Sequence, residues 1–295
     1  MNDSIFTRQN DPFLLQCQAA QKSEYSQAKK IARTKAIVTL LFVALSIISS
    51  ILSIDWLSAV SSFLAVALTL YNKRFDYRIH ALKEHAASIQ QFIDATIFAP
   101  LVNSITTDWG DIPSKTDLAE SISKFHCQDT SAYKNWYSDY SSMSSELQIF
   151  YCQCENVRWD ITLHKEFKKL CTVVVCAIFV MTVAAFLAVN PTFTKVFWVL
   201  SWFLPVAEYG YSVIKEINDT VAFLHDAESF SKNIENKLKN SNSEQIKHDL
   251  IQLQHKIWHR RSNGYLIPDW FYAYYKQKHQ EKEDRIARTI QNMEK

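Results

Sequence analysis

"AIVTLLFVALSIISSILSI", Ala36 to Ile54, holds 19 residues without a single charge, and that length decides the fold, because about 20 apolar residues in a helix cross the hydrocarbon core of a bilayer. After "DW" at Asp55 and Trp56 comes "LSAVSSFLAVALTLY", Leu57 to Tyr71. It is short for a span, but Trp56 on one side and Asn72, Lys73 and Arg74 on the other can reach the interface. The two runs read as a tight helical hairpin. A second pair lies downstream: "LCTVVVCAIFVMTVAAFLAV", Leu170 to Val189, and "FTKVFWVLSWFLPVAEYGYSVI", Phe193 to Ile214, with Asn190 and Pro191 supplying the turn. Each run alone could be a buried helix of a large soluble domain, but four runs in two hairpins argue against that reading.

Composition points the same way. The 295 residues include only 3 Gly and 6 Pro, too few for the turns of a β fold or for an α/β fold with phosphate loops. The mean hydropathy is slightly negative, yet that average hides a segregation into apolar blocks and charged blocks. The formal charge of +2 does not suggest a DNA- or RNA-binding domain, and no direct nucleic-acid binding is expected. Two of the six cysteines, Cys171 and Cys176, fall inside an apolar run, so all six read as reduced thiols, cytosolic or membrane-embedded, rather than a disulfide framework.

The first run is too far from the start for a signal peptide. About 35 mostly polar residues precede it, and no small-residue cleavage site ends it, so it is expected to stay in the mature protein. Lysine and arginine near the run ends set the orientation: Lys29, Lys30, Arg33 and Lys35, then Lys73, Arg74 and Arg78, then Lys165, Lys168 and Lys169, then Lys215. The expected organisation is all-α. Residues 1–35 form a cytoplasmic N-terminal helix, 36–71 the first transmembrane hairpin, 72–169 a helical cytoplasmic segment, 170–214 the second hairpin and 215–295 a helical cytoplasmic C-terminal region. Both termini then face the cytoplasm.

Ser46, Ser49, Ser50 and Ser53 fall on one face of the first run, and Ser58, Ser61, Ser62 and Ala65 do much the same on the second. Small faces of this kind let membrane helices pack closely. Turned toward the axis of a homo-oligomer, Ser46, Ser49, Ser50, Ser53 and Ser61 could instead line an aqueous path. Glu208, the one acid within a run, either lines that path or reaches the interface.

Outside the runs, "NKRFDYRIHALKEHAASIQQFIDATIF" reads as a helix continuing the second span, "TTDWGDIPSKTD" as the main loop, and "SELQIFYCQCENVRWDITLHKEFKKL" as a helix leading into the third. Ile214 to Leu238 extends the fourth run, "KNSNSEQ" breaks it, and Ser243 is expected to cap a further helix ending near Arg261. No Gly-rich phosphate loop, H-E-x-x-H or G-x-S-x-G occurs. No catalytic residue is assigned and no enzyme activity is expected. Cys152 and Cys154, with His126, Cys127 and His164, could make a zinc site only if C-x-C on a helix brought its thiols together, which the helical period opposes, so no metal is assigned.

The tail closes on "HRRSNGYLIPDWFYAYY", His259 to Tyr275. Arg260, Arg261, Tyr265 and Trp270 are types that hold phosphates and stack on bases, which makes them candidates for binding a nucleotide. The other reading is structural: Pro268 starts a helix, Asp269 sits in its first turn, and the aromatics pack on helices leaving the membrane or sit at the headgroup level.

With "RQNDPFLLQCQAAQKSEYSQAKK" at Arg8 to Lys30, the two-plus-two runs, and "LIPDWFY" at Leu266 to Tyr272, the chain resembles the SMODS-associated four-transmembrane effectors of bacterial anti-phage defence. The resemblance implies a multi-pass bacterial inner-membrane protein that acts in a cyclic-oligonucleotide signalling system. On this reading it responds to a cyclic oligonucleotide, its activating ligand, in place of any cofactor, and its partners are that ligand, the lipid bilayer and further copies of itself. It would form a pore, disrupt the membrane and stop growth. The alternative is a membrane scaffold that recruits partners through its cytoplasmic helices without forming a pore.

Overall fold

A computed structural model describes the backbone of residues 4–52, 55–102, 111–188, 193–238 and 242–294. Within these helices, the side chains of residues 42–43, 46–52, 55–70, 99–102, 185–186, 188, 193–202 and 204–206 lie outside the description. Every regular element among the described residues is helical: α1 (Ile5–Arg8), α2 (Pro12–Leu52), α3 (Asp55–Val102), α4 (Lys115–Lys124), a 3-10 turn at Ser131–Tyr133, α5 (Ser145–Ala188), α6 (Phe193–Leu238), α7 (Ser243–Asn263) and α8 (Asp269–Met293). The serines named as pore-lining candidates cannot be placed. Ser46, Ser49, Ser50 and Ser61 belong to α2 and α3 but their side chains lie outside the described set, as does all of Ser53. Glu208 is exposed on α6.

Local chemistry starts the helices where the sequence permits. Asp11 caps α2, its Oδ1 accepting from the N–H groups of Phe13 (2.9 Å) and Leu14 (3.3 Å), and Pro12 follows with a fixed φ and no N–H to orphan. Ser114 caps α4 by accepting from Asp117 N–H. The cap of α7 is Asn242, which accepts from Glu244 N–H, so Ser243 is the first helical residue and not the cap. Pro268 precedes α8 and Asp269 sits in its first turn, as expected.

Four long helices form two hairpins, α2 on α3 and α5 on α6, and α7 packs against α3, α5 and α6. Its direction is fixed at both ends. Ser243 Oγ donates to Glu146 at the start of α5 (3.3 Å). At the other end Lys83 of α3 donates from Nζ to the Asn263 carbonyl (2.9 Å), a cation on a helix C-terminus. The chain then turns through Gly264 to Pro268, and α8 runs back along α5 as far as a contact between Tyr151 and Glu294. Gly264 is required by close approach: a Cβ there would lie 2.7 Å from the Arg260 carbonyl oxygen and 3.2 Å from Thr220 Cγ2.

The main core is built where these helices meet, around Ile89, Ile93, Phe98, Tyr137, Ile149, Phe150, Leu250 and Leu253. A second cluster joins the turn and α8 to the long helices: Ile267 and Phe271 pack on Leu163, Phe167 and Ile217, with Tyr265, Tyr272 and Tyr275 at its edge. Part of the aromatic tail is thus covered by the helices that continue into the third and fourth apolar runs, while Trp270 and Tyr274 stay exposed. Beyond this cluster α5 becomes apolar and bare. Val173, Phe179, Val180, Met181 and Leu187 are 53–66% exposed. Among the described residues α5 is the one helix long and apolar enough to cross a membrane, with a mean hydropathy of 2.0 in its most apolar window. The other three runs lie partly outside the described residues, so the expected four spans stand on sequence there.

Candidate ligand-binding site

A cavity of about 220 Å³ opens between the N-terminal half of α2, the middle of α5, the segment at residues 132–137 and the α7–α8 turn. Its position follows from the packing. The second aromatic cluster closes its lower side at Leu163, about 10 Å of helix short of the apolar run that begins at Leu170. Its walls are mixed in a particular way: Tyr25, Tyr133, Trp136, Trp159, Tyr265 and Tyr272 offer ring faces, and six cations stand against three acids, Glu155, Asp160 and Asp269.

A buried polar network supports the floor. Asp94 of α3, 2% exposed, accepts from Tyr137 OH (2.7 Å), Gln254 Nε2 (2.9 Å) and Arg261 Nη1 (2.5 Å). Asn156 Nδ2, on the cavity wall, donates to the same Tyr137 hydroxyl (2.8 Å). Gln9 clamps the backbone of Tyr137 through both ends of its amide, and Tyr25 OH donates to the Arg261 carbonyl (3.1 Å). One nitrogen of Arg261 is thereby fixed on Asp94. Its other terminal nitrogen, Nη2, has no hydrogen-bond partner among the described residues, and neither has Gln21 Oε1. Both residues line the cavity.

The rim is electrostatically strung between helices. Arg260 pairs with Asp160 of α5. Asp269 at the start of α8 accepts from Lys29 Nζ (2.6 Å) and Ser26 Oγ (3.1 Å) of α2. Lys22 lies over the Tyr133 ring (5.3 Å) while Lys276 donates to the neighbouring Ala132 carbonyl (3.3 Å). Burial and the closeness of Lys22 lower the Lys276 ammonium from its ordinary range. Two cations thus converge on one edge of the mouth without a carboxylate between them among the described residues. His164 sits with Nδ1 2.8 Å from the Asp160 carbonyl and Nε2 3.2 Å from the Tyr265 carbonyl. Burial holds it down to about 4, so it is neutral at physiological pH and its single N–H can donate to only one of the two carbonyls.

Glu155 gives the cavity a titration in the physiological range. Burial pushes its carboxyl from 4.5 up to about 7, against the pull of the Ser138 N–H, which lies 3.1–3.3 Å from its two oxygens. A carboxyl whose folded pKa is raised contributes stability that is complete below the unfolded value and is lost as pH climbs through the folded one. Glu155 should therefore cost the protein about 3 kcal/mol between pH 4.5 and pH 7. Thermal melts at stepped pH will show this fall in the wild type and a flattened profile in Glu155→Gln, which keeps the neutral form at every pH.

Of the four nucleotide-binding candidates, Arg260, Arg261 and Tyr265 line this cavity and Trp270 does not. Trp270 points outward, 63% exposed, while its neighbour Phe271 fills the aromatic cluster, because successive helical residues diverge by about 100°. The α2 contribution was missed as a site. Gln18, Gln21, Lys22, Tyr25 and Lys29 recur at helical spacing along one polar stripe, a signal that was present in the sequence. Cys152 and Cys154 are both buried, and burial pushes the Cys154 thiol up to about 12. All six cysteines are free thiols.

Two of the segments that frame the cavity, the start of α2 and the α7–α8 turn, carry the resemblance noted in the sequence, and comparison with known proteins agrees. The profile of the SMODS-associating 4TM effector domain matches residues 3–291. A protein of Bacillus cereus (strain VD146), named a probable CBASS effector molecule, is 27% identical over 215 residues, covering 70% of each chain. No solved structure matches this chain.

Proposed function

The chain belongs to the SMODS-associating 4TM effector family, and we propose that it is an anti-phage effector that binds a cyclic oligonucleotide in the cavity between α2, α5 and the α7–α8 turn, and then opens a pore in the bacterial inner membrane. The observation that carries this reading is the convergence of Arg260, Arg261 and Tyr265 with Lys22, Lys29 and Tyr25 from the far end of the sequence around one aromatic, cation-rich cavity. Phosphates call for the cations and bases for the ring faces. The likeness to a protein named a probable CBASS effector supports the same role.

The membrane part rests on the four apolar runs and on the bare apolar face of α5, which water would not tolerate but lipid accepts. In this reading both hairpins span the bilayer, both termini lie in the cytoplasm, and several copies assemble so that the serine faces of the first hairpin and Glu208 border the path. Growth arrest follows from the lost membrane potential. The ligand acts by binding the open or assembled form more tightly than the resting one. No catalytic step is assigned.

Full-length protein in proteoliposomes loaded with a self-quenched dye tests this. A panel of cyclic di- and trinucleotides should include at least one that raises leakage about tenfold, a population shift of about 1.4 kcal/mol or more, while the linear dinucleotides do not. Leakage unmoved by every member of the panel would refute the gating.

A further inference from the structure

The tyrosines and tryptophans left exposed among the described residues are Tyr71, Tyr77, Tyr209, Tyr211, Trp270 and Tyr274. Tyr71 ends the second apolar run and Tyr77 lies just past it, while Tyr209 and Tyr211 fall in the last turns of the fourth. Rings at span ends mark the bilayer–water interface, where the apolar body meets lipid and the polar tip meets water. Trp270 and Tyr274 belong to α8, which is not one of the apolar runs, and are 63% and 77% exposed. Packing nevertheless fixes their height. Their neighbour Phe271 shares a cluster with Phe167 of α5 and Ile217 of α6. Phe167 stands three residues before the third run begins at Leu170, and Ile217 three residues after the fourth ends at Ile214. Both helices therefore put this cluster about 5 Å outside the hydrocarbon core, within a headgroup layer about 5–8 Å deep.

We propose that the outer face of the first two turns of α8 docks on the phospholipid headgroup layer, a membrane contact additional to the four spans. The inference rests on the membrane reading above and adds a non-spanning helix to it. Helical period sorts the residues of these turns three ways. Phe271 and Tyr275 face the aromatic cluster, Asp269, Tyr272 and Lys276 line the cavity, and Trp270, Ala273 and Tyr274 are left outside. Cations suited to lipid phosphates stand nearby in the chain: Lys165 and Lys169 of α5 are exposed, as is Lys278 one turn beyond Tyr274. Leu170 and Val173 of α5, exposed just past the cluster, meet the same lipid. Trp270, which does not line the cavity, thereby gains a partner. A helix start that walls the cavity on one side is held against the membrane on another.

Photo-crosslinking reads what lies against each position. p-Benzoylphenylalanine is placed by stop-codon suppression at Trp270, Tyr274, Phe179 or Lys282, one at a time, in the full-length protein held in nanodiscs of phosphatidylethanolamine and phosphatidylglycerol. Mass spectrometry after irradiation identifies the adduct. All of these side chains are exposed, so the replacements should leave the fold intact. Phe179 lies in the third run and reports the span itself. Lys282 lies on the outer side of α8 beside Glu283, whose partner Arg158 (2.8 Å) precedes Leu170 by 12 residues, which is about 18 Å of helix and beyond the headgroups. Trp270 and Tyr274 positions should each gain the mass of one phospholipid, as Phe179 does, with Lys282 unshifted. A cross-linked dimer at Trp270 or Tyr274 would show that a second copy covers this face and would overturn the assignment. So would no lipid adduct at either position, or adducts at Lys282 as strong as theirs, while Phe179 still takes lipid. If Phe179 takes none, the membrane reading itself fails, and this inference with it.

Discussion

Asp94→Asn should lower the stability of the protein by about 3–5 kcal/mol, the largest loss expected from any single neutralising substitution in the network. Asp94 and Arg261 are 2% and 4% exposed and meet at 2.5 Å. Removing the negative charge leaves a buried guanidinium without its counter-ion, and the cost of that isolated cation is what the measurement reads. Asparagine also turns one carboxylate oxygen into an N–H donor. Since Tyr137 OH, Gln254 Nε2 and Arg261 Nη1 all donate to Asp94, whichever way the amide faces it meets at least one donor head-on. Denaturant or thermal unfolding of the detergent-solubilised protein measures the loss. The double variant Asp94→Asn with Arg261→Met should recover part of it, because an apolar side chain replaces the stranded cation. A loss under about 1 kcal/mol in the single variant would mean that water reaches the pair and that Arg261 is not held as a fixed part of the cavity floor.

The long helices and their pairing were legible in the sequence for a plain reason. With so few glycines and prolines, the apolar runs and the charged helical text beside them had no breaker between them. α2, α3, α5 and α6 accordingly pass out of the apolar runs without interruption. Some helix ends were legible: Ser145 opens α5 and Leu238 closes α6 as expected, whereas α7 runs on to Asn263, α3 runs on to Val102, and α4 opens at Lys115 inside the stretch expected as the main loop. At "NSNS" both Asn242 and Ser243 are able caps, and only the backbone geometry selects Asn242. The site was half legible. Residue type singled out Arg260, Arg261 and Tyr265 but assigned Trp270 with them, since a cluster of aromatics in sequence does not say which ring turns inward. The partners that give the arginines their meaning, Asp94 for Arg261 and Asp160 for Arg260, lie 100 or more residues away, and no local pattern announces a contact over that distance. Side chains of the serine faces lie outside the described residues, so their pore role stands where the sequence left it.

Phe271→Ala should cost about 3–5 kcal/mol and, in the pore reading, disconnect the ligand from the membrane. Phe271 is 3% exposed, with its ring 5.0 Å from that of Phe167 and 4.7 Å from that of Tyr275. Phe167 also stacks on Tyr265 of the cavity wall at 5.8 Å. One aromatic side chain of α5 therefore touches both the turn that faces the ligand and the helix that follows it. Three residues on, α5 enters its apolar run at Leu170. A shift of the turn on binding has this cluster as its shortest packed route to the third apolar run, and a ligand changes the resting-to-open balance only through contacts that differ between the two forms. Truncating the ring while the cavity groups stay in place should leave calorimetric affinity for the activating cyclic nucleotide near the wild-type value. The concentration needed for half-maximal dye leakage should rise roughly tenfold to a hundredfold, the range of typical coupling energies. Phe271→Leu, which refills most of the volume, should restore leakage before it restores full stability. Leakage at wild-type nucleotide concentrations in Phe271→Ala, with only the melting temperature reduced, would confine the cluster to a packing role and place the coupling on the Lys29–Asp269 contact between α2 and α8 instead.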